Sequence, residues 1–175
     1  MGTLTNNYLF KALENYPYEL DEVMEALNYA LSYNENNTMA LTLMGKVCAE
    51  KLYKYDEAIG YFKKVLAINI NAFEVYEPYI RVLLWNEDYK DADNFIDFAL
   101  KVKGSDKAVL YLKKAILNEQ LKEYKKALSF IKLAKENAFN NDFMFNLNEI
   151  KDRIKGKIPK KKKVKSSKIS KKKKK

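Results

Sequence analysis

Four stretches of this chain repeat one another every 34 or 35 residues, and that period limits the fold more than any other feature. DEVMEALNYALSYNENN begins at Asp21, DEAIGYFKKVLAININA at Asp56, KDADNFIDFALKVKGSD at Lys90 and KKALSFIKLAKENAFNN at Lys125. The third place holds Val23, Ala58, Ala92 or Ala127, and the seventh Leu27, Phe62, Ile96 or Ile131. The tenth holds Ala30, Val65, Ala99 or Ala134. These places share one face at 3.6 residues per turn, so each stretch is an amphipathic helix. The small residues in two columns let a second helix come close. Leu20, Tyr55, Tyr89 or Tyr124 stands just before each start.

A leading helix precedes each. The clearest is ALTLMGKVCAEKL, Ala40 to Leu52, with Leu41, Met44, Gly45 and Cys48 in one stripe. Equivalent places hold Tyr76, Tyr79, Ile80 and Leu83, then Tyr111, Ala115 and Asn118, with a weaker version at Tyr8 and Ala12. Asparagines between the units (Asn34, Asn36, Asn37, Asn69, Asn71, Asn140, Asn141) suit helix ends. Helices are expected over 4–14, 20–33, 38–52, 56–69, 73–86, 90–103, 107–120, 125–137 and 141–155. A lone hairpin cannot cover its apolar face, so hairpins stack and share a core. The last helix, with Phe143, Phe145, Leu147, Ile150 and Ile154 against charged residues, reads as the cap of that stack.

Composition removes most chemistry. There is no histidine and one cysteine, Cys48, so histidine triads, histidine zinc sites, CxxC pairs and disulfide frameworks are excluded. Cys48 lies in an apolar stripe and reads as a small core residue. No Gly-rich phosphate loop, GxSxG, HExxH or EF-hand pattern occurs. Acids such as Glu19, Asp21, Glu22, Asp91 and Asp93 fall at helix starts or on polar faces, where the helix dipole accounts for them. No enzyme activity, cofactor, metal or small-molecule substrate is expected. No apolar run is long enough to span a membrane. The N-terminus has neither the basic nor the apolar region of a signal peptide, and Asn6 stands where a myristoylation motif needs Ser or Thr. A cytoplasmic location is expected.

The columns and their period resemble those of tetratricopeptide repeat (TPR) proteins. The unit Asn37–Asn71 carries the likeness best, with LMG at Leu43–Gly45 and YDEAIGYFKKVLAIN at Tyr55–Asn69. There are departures: Ile70 replaces the repeat-closing proline, Ile80 stands where Gly or Ala is usual, and Lys114 replaces an apolar residue. Pro78, inside a leading helix, calls for a kink or a late start. Ile80 calls for wider packing of its helix pair. The resemblance implies an all-α, right-handed superhelical α-solenoid over residues 1–156, with hairpins at about 5–37, 38–72, 73–106 and 107–140 and a capping helix at 141–155.

It also implies a concave groove, lined by the leading helices, that binds a segment of another protein. Its residues are Met39, Thr42, Lys46 and Glu50, then Glu74, Glu77, Arg81 and Trp85, then Val109, Leu112, Ile116 and Gln120. Trp85 reads either as an interface anchor or as a cover for the hairpin turn. Some family members hold acidic chaperone tails in a Lys/Asn/Arg carboxylate clamp. Here Glu74 and Glu77 oppose Lys46 and Arg81, so that clamp is not expected.

The net charge of +10 is concentrated at one end: residues 157–175 contain twelve Lys and no acid, leaving −2 for residues 1–156. Like charges with nothing apolar to bury predict a disordered tail. Lys160, Lys161, Lys162, Lys163, Lys165, Lys171, Lys172, Lys173, Lys174 and Lys175 are its candidate polyanion contacts. Four roles fit such a run: a solubilising tail, electrostatic contact with RNA or DNA, a nuclear localisation signal, or attraction to anionic membrane. The tail lacks aromatic residues to stack on bases. Two functions therefore fit the sequence, a non-catalytic protein-binding scaffold and a nucleic-acid-associated accessory protein that uses the tail.

Overall fold

The structure, a computed structural model, describes residues 2–159. The expected polyanion contacts from Lys160 onward lie outside these residues. Among the described residues there are nine helices and no strand: α1 (Gly2–Asn15), α2 (Leu20–Tyr33), α3 (Thr38–Glu50), α4 (Tyr55–Ile68), α5 (Phe73–Trp85), α6 (Tyr89–Ala99), α7 (Lys107–Gln120), α8 (Tyr124–Glu136) and α9 (Asn141–Gly156).

The asparagines act where their chemistry suits them. Asn37 Oδ1 accepts from the amides of Met39 and Ala40, capping α3, and Asn140 Oδ1 accepts from those of Asp142 and Phe143, capping α9. Asn34 and Asn69 end α2 and α4 in extended geometry, and their side chains accept from the amides of Asn36 and Asn71. Asp106 caps α7 through the Val109 amide. Inside three hairpins the chain turns through a left-handed residue two places before the trailing helix: Tyr53, Glu87 and Lys122, with φ of 55°, 61° and 61°. Helix α6 stops at Ala99, four residues short of the expected end. Its last turn tightens into three-residue bonds, Lys101 N to Phe98 O and Val102 N to Ala99 O, before Gly104 reverses the chain at φ 92°.

The trailing-helix columns form the core: all twelve residues are fully buried. Each helix packs with its hairpin partner and with the next element, and α1, α3, α5 and α7 also pack side by side. Contacts confined to neighbours in this way make a solenoid. The apolar interior has two parts. One runs from α1 through α6 and takes in Leu110 and Leu117 of α7; the other joins Leu112 and Ala115 of α7 to α8 and α9. Cys48 is buried in the first, and burial, followed by the Glu57 charge, raises its thiol pKa.

At the seam between the two parts Lys114, with a side chain 9% exposed, extends between two carboxylates of α6, 2.7 Å from Asp93 and 2.6 Å from Asp97. The polar intruder in an apolar column is thus an inter-hairpin ion pair. Pro78 does not delay α5, which begins at Phe73. The carbonyl that Pro78 leaves without an amide is that of exposed Glu74, within reach of water. Ile80 is fully buried, and where the preceding unit pairs Gly45 with Phe62, this one has Ile80 and the smaller Ile96. The expected boundary at 156/157 falls within a bonded turn: Lys157 closes α9 and its ammonium lies 2.8 Å from Glu119.

Candidate partner-binding groove

Helices α3, α5 and α7 lie side by side, and a chain of charges crosses them. The Tyr16 hydroxyl donates to Glu50 Oε2 at 2.5 Å, and the Arg81 guanidinium pairs with Glu50 from the next leading helix. Arg81 Nη1 lies 3.9 Å from Glu77 one turn earlier, and the Lys113 ammonium reaches that same Glu77 from α7. Burial first, then the bond to Glu50, holds the Tyr16 phenol well above its ordinary pKa, so it stays a donor. Arg81 also lies 5.2 Å from the centre of the Trp85 ring. Trp85 in turn rests against Tyr55, centroids 6.0 Å apart, with 43% of its surface exposed. It packs on the start of α4 in the preceding hairpin and still presents much of its ring to solvent.

Three hollows open near the N-terminal ends of successive leading helices, toward the opposite ends of α3 and α5 from Glu50 and Trp85. The first, about 170 Å³, is lined by Leu13, Met39, Thr42, Leu43, Lys46 and Glu74. The second, about 270 Å³, lies between α5 and α7 and includes Phe73, Glu74, Glu77, Asp106 and Val109. The third, about 300 Å³, includes Asp106, Val109, Phe139 and Phe143. Glu74 borders the first two, and Asp106 and Val109 border the last two.

No protein-family model matches the sequence, and no curated protein does. Among solved structures, a tetratricopeptide repeat protein from Parabacteroides merdae superposes with a TM-score of 0.72 at 18% identity, covering 88% of this chain and 58% of that one. The fold is that of a tetratricopeptide repeat array. MamA 41-end from Desulfovibrio magneticus RS-1 superposes at 0.68 with 21% identity, 90% of each chain being covered. A second MamA structure gives 0.68 at 16%, covering 90% of this chain and 89% of the other.

On this array the expected groove residues divide. Met39, Thr42, Lys46 and Glu74 meet at the first hollow, Glu74, Glu77 and Val109 at the second, and Glu50, Glu77, Arg81 and Trp85 along the charge chain. One correction concerns burial: Leu112, only 7% exposed, is sealed into the core that α9 completes. Thr42 lines the first hollow but is equally buried, and its hydroxyl is turned back on the Thr38 carbonyl at 2.7 Å. Ile116 packs against both cores. Gln120 is exposed but borders none of the three hollows.

Sequence reasoning missed Tyr16, Lys113 and Asp106. A signal existed for Lys113, which follows Glu77 by 36 residues with opposite charge, close to one period of the array. Neither Arg81 nor Lys113 is an idle cation, since carboxylates hold both. Among the described residues no group of three or more His, Cys, Asp and Glu side chains is placed to hold a metal, and no helix is long and apolar enough to cross a membrane.

Proposed function

We propose that this chain is a non-catalytic scaffold that holds a segment of a partner protein across α3, α5 and α7. The observation that carries this reading is the row of three hollows on successive leading helices, joined by shared rims at Glu74 and at Asp106 and Val109. Neighbouring helices pack about 8–10 Å apart. A polyproline II segment, rising about 3.1 Å per residue with three residues per turn, therefore brings every third side chain, all on one face, to a new hollow. Exposed acids at the rims favour a segment with basic residues between its apolar ones, and Trp85, at the opposite end of α5, offers a broad half-exposed ring to a segment that also runs along that helix.

Peptides selected from a random display library on the full chain test this. The selected peptides should carry an apolar residue at every third place with basic residues between, and Met39→Asp with Val109→Asp should abolish their binding while the fold is kept. Peptides that bind this variant unchanged, and lose affinity to substitutions on the trailing helices instead, would remove the groove reading.

A further inference from the structure

The near-neutral body conceals a separation of charge along the solenoid. Residues 1–106 carry a net −7, residues 107–159 a net +6 and residues 160–175 a further +11. The folded end of the array is therefore basic before the lysine run begins. Most of the six acids within 107–159 are already engaged: Glu119 by Arg153 and Lys157, Glu123 by Lys126 at 2.7 Å, Glu136 by Lys132 at 3.7 Å and Asp152 by Lys155 at 3.6 Å. Among the described residues Lys122, Lys125, Lys135 and Lys151 have no ion-pair partner.

Lys122 stands in the turn before α8, Lys125 and Lys135 on α8, and Lys151 on α9, which packs against α8 and brings its charge close to Lys135. At one end Lys122 and Lys125 border a surface hollow of about 500 Å³ together with Tyr124, Ile158 and Pro159, the point from which the lysine run departs. Further along, the Lys135 ammonium donates to Asn148 of α9. Burial, then the neighbouring charges of Lys151 and Lys155, lowers its pKa against the opposing pull of Asp152. Like charges gathered on a folded surface repel one another until a polyanion neutralises them, and release of its condensed counterions drives that binding.

We propose that the α8–α9 face, through Lys122, Lys125, Lys135 and Lys151, is a polynucleotide-binding surface continuous with the lysine run. Contact is to phosphate and independent of base sequence, and the acidic N-terminal half turns the groove away from the strand. The inference is independent of the groove reading: it would make the chain a link between a nucleic acid at one end and a protein segment along the other hairpins.

The test uses the full chain and a labelled single-stranded RNA of about 20 nucleotides, longer than a typical single-strand site. Lys125→Glu with Lys151→Glu should weaken binding about tenfold or more at low salt. It should also make the slope of log affinity against log salt shallower by about 1.4, or 0.7 for each phosphate that is no longer neutralised. Lys63→Glu with Lys64→Glu, an equal charge change on exposed positions of α4, should do much less. A chain whose lysines from Lys160 onward are all Gln should keep a weaker, salt-sensitive affinity that the α8–α9 pair removes. Equal weakening by the two pairs, or complete loss on neutralising the lysine run alone, would overturn the proposal. So would tighter binding to phosphatidylserine vesicles than to RNA.

Discussion

A Cβ placed on Gly45 would stand 2.6 Å from Cε1 of Phe62, so α3 and α4 pack through the space a side chain would fill. Elsewhere in a helix, replacing Gly by Ala stabilises by about 0.5–1 kcal/mol. Here the ring is fully buried and must move, and overpacking of this kind costs about 1–3 kcal/mol. Gly45→Ala should therefore lower the urea midpoint. In a Phe62→Ile background, which copies the Ile96 column, the same change should be neutral or stabilising. Additive effects in that double-mutant cycle would show that the contact does not limit packing.

Lys114 makes a prediction of the opposite kind. Its partners Asp93 and Asp97 are about half exposed, so removing the ammonium strands no buried charge. Lys114→Met keeps the stem and restores an apolar column, and should change stability by less than about 1 kcal/mol in either direction. Lys114→Glu places a third carboxylate at a nearly closed site and should cost about 3 kcal/mol or more. Urea midpoints of the two variants decide it; a heavy loss for the Met variant would make the ion pair itself a major source of stability.

The left-handed residues of the hairpin turns lead to a gain. A non-glycine side chain at positive φ costs about 1–2 kcal/mol, partly offset by the extra freedom glycine has in the unfolded chain. Glu87→Gly should stabilise by about 0.5–1 kcal/mol, and Lys122→Gly similarly. Glu87→Ala, which keeps a Cβ, should give no such gain. Thermal melts of the three variants measure this.

How much of this was legible follows from the range of each interaction. The twelve column residues, the Asn37 and Asn140 caps and the buried Cys48 could be read directly, because helical period and capping are local properties. Lys114 departs visibly from its apolar column, but its partners stand on another hairpin. The Glu50–Arg81–Glu77–Lys113 chain links residues 31 and 36 apart, and which charges meet at those separations depends on how one hairpin stacks on the next. Register alone places Leu112 in the groove. Register fixes a face, whereas burial depends on what covers that face, here α9. Residues Leu43–Gly45 and Tyr55–Asn69 point to the array; the hollow between α5 and α7 depends on how its hairpins stack.

The cap α9 should respond to acid. Burial raises the pKa of Glu119, whose side chain is 6% exposed, but bonds from Arg153 and Lys157 outweigh it and leave the carboxyl below its usual range. A lowered folded-state pKa means stability that is present above the unfolded value, about 4.5, and lost as pH falls through the folded one. Amide exchange in α9 should accelerate below about pH 4.5 before that of α3 and α4 does. Glu119→Gln should speed α9 exchange already at neutral pH and flatten the acid dependence. A chain truncated after Gly156 loses Lys157 and should show part of the same loosening. Unchanged α9 exchange in both variants would mean that Leu147 and Ile154 hold the cap by apolar packing alone.

The groove and the array's stability meet at Arg81, which joins two leading helices through Glu50 and carries Trp85 on its guanidinium. If a partner segment lies across α3, α5 and α7, Trp85→Ala should weaken its binding by about 2 kcal/mol or more, as truncating an aromatic anchor does. Stability should fall by less, because the ring is 43% exposed and touches the fold chiefly through Tyr55 and Arg81. Arg81→Lys keeps the charge but loses the planar fork that reaches Glu50 while facing the indole. It should therefore weaken binding of the same peptide through poorer placement of Trp85, with a smaller effect than Trp85→Ala. Peptide titrations and melts on both variants separate the roles. A Trp85→Ala chain that binds normally but melts early would make this residue a brace for the start of α4, and would move the anchoring surface to Met39 and Val109.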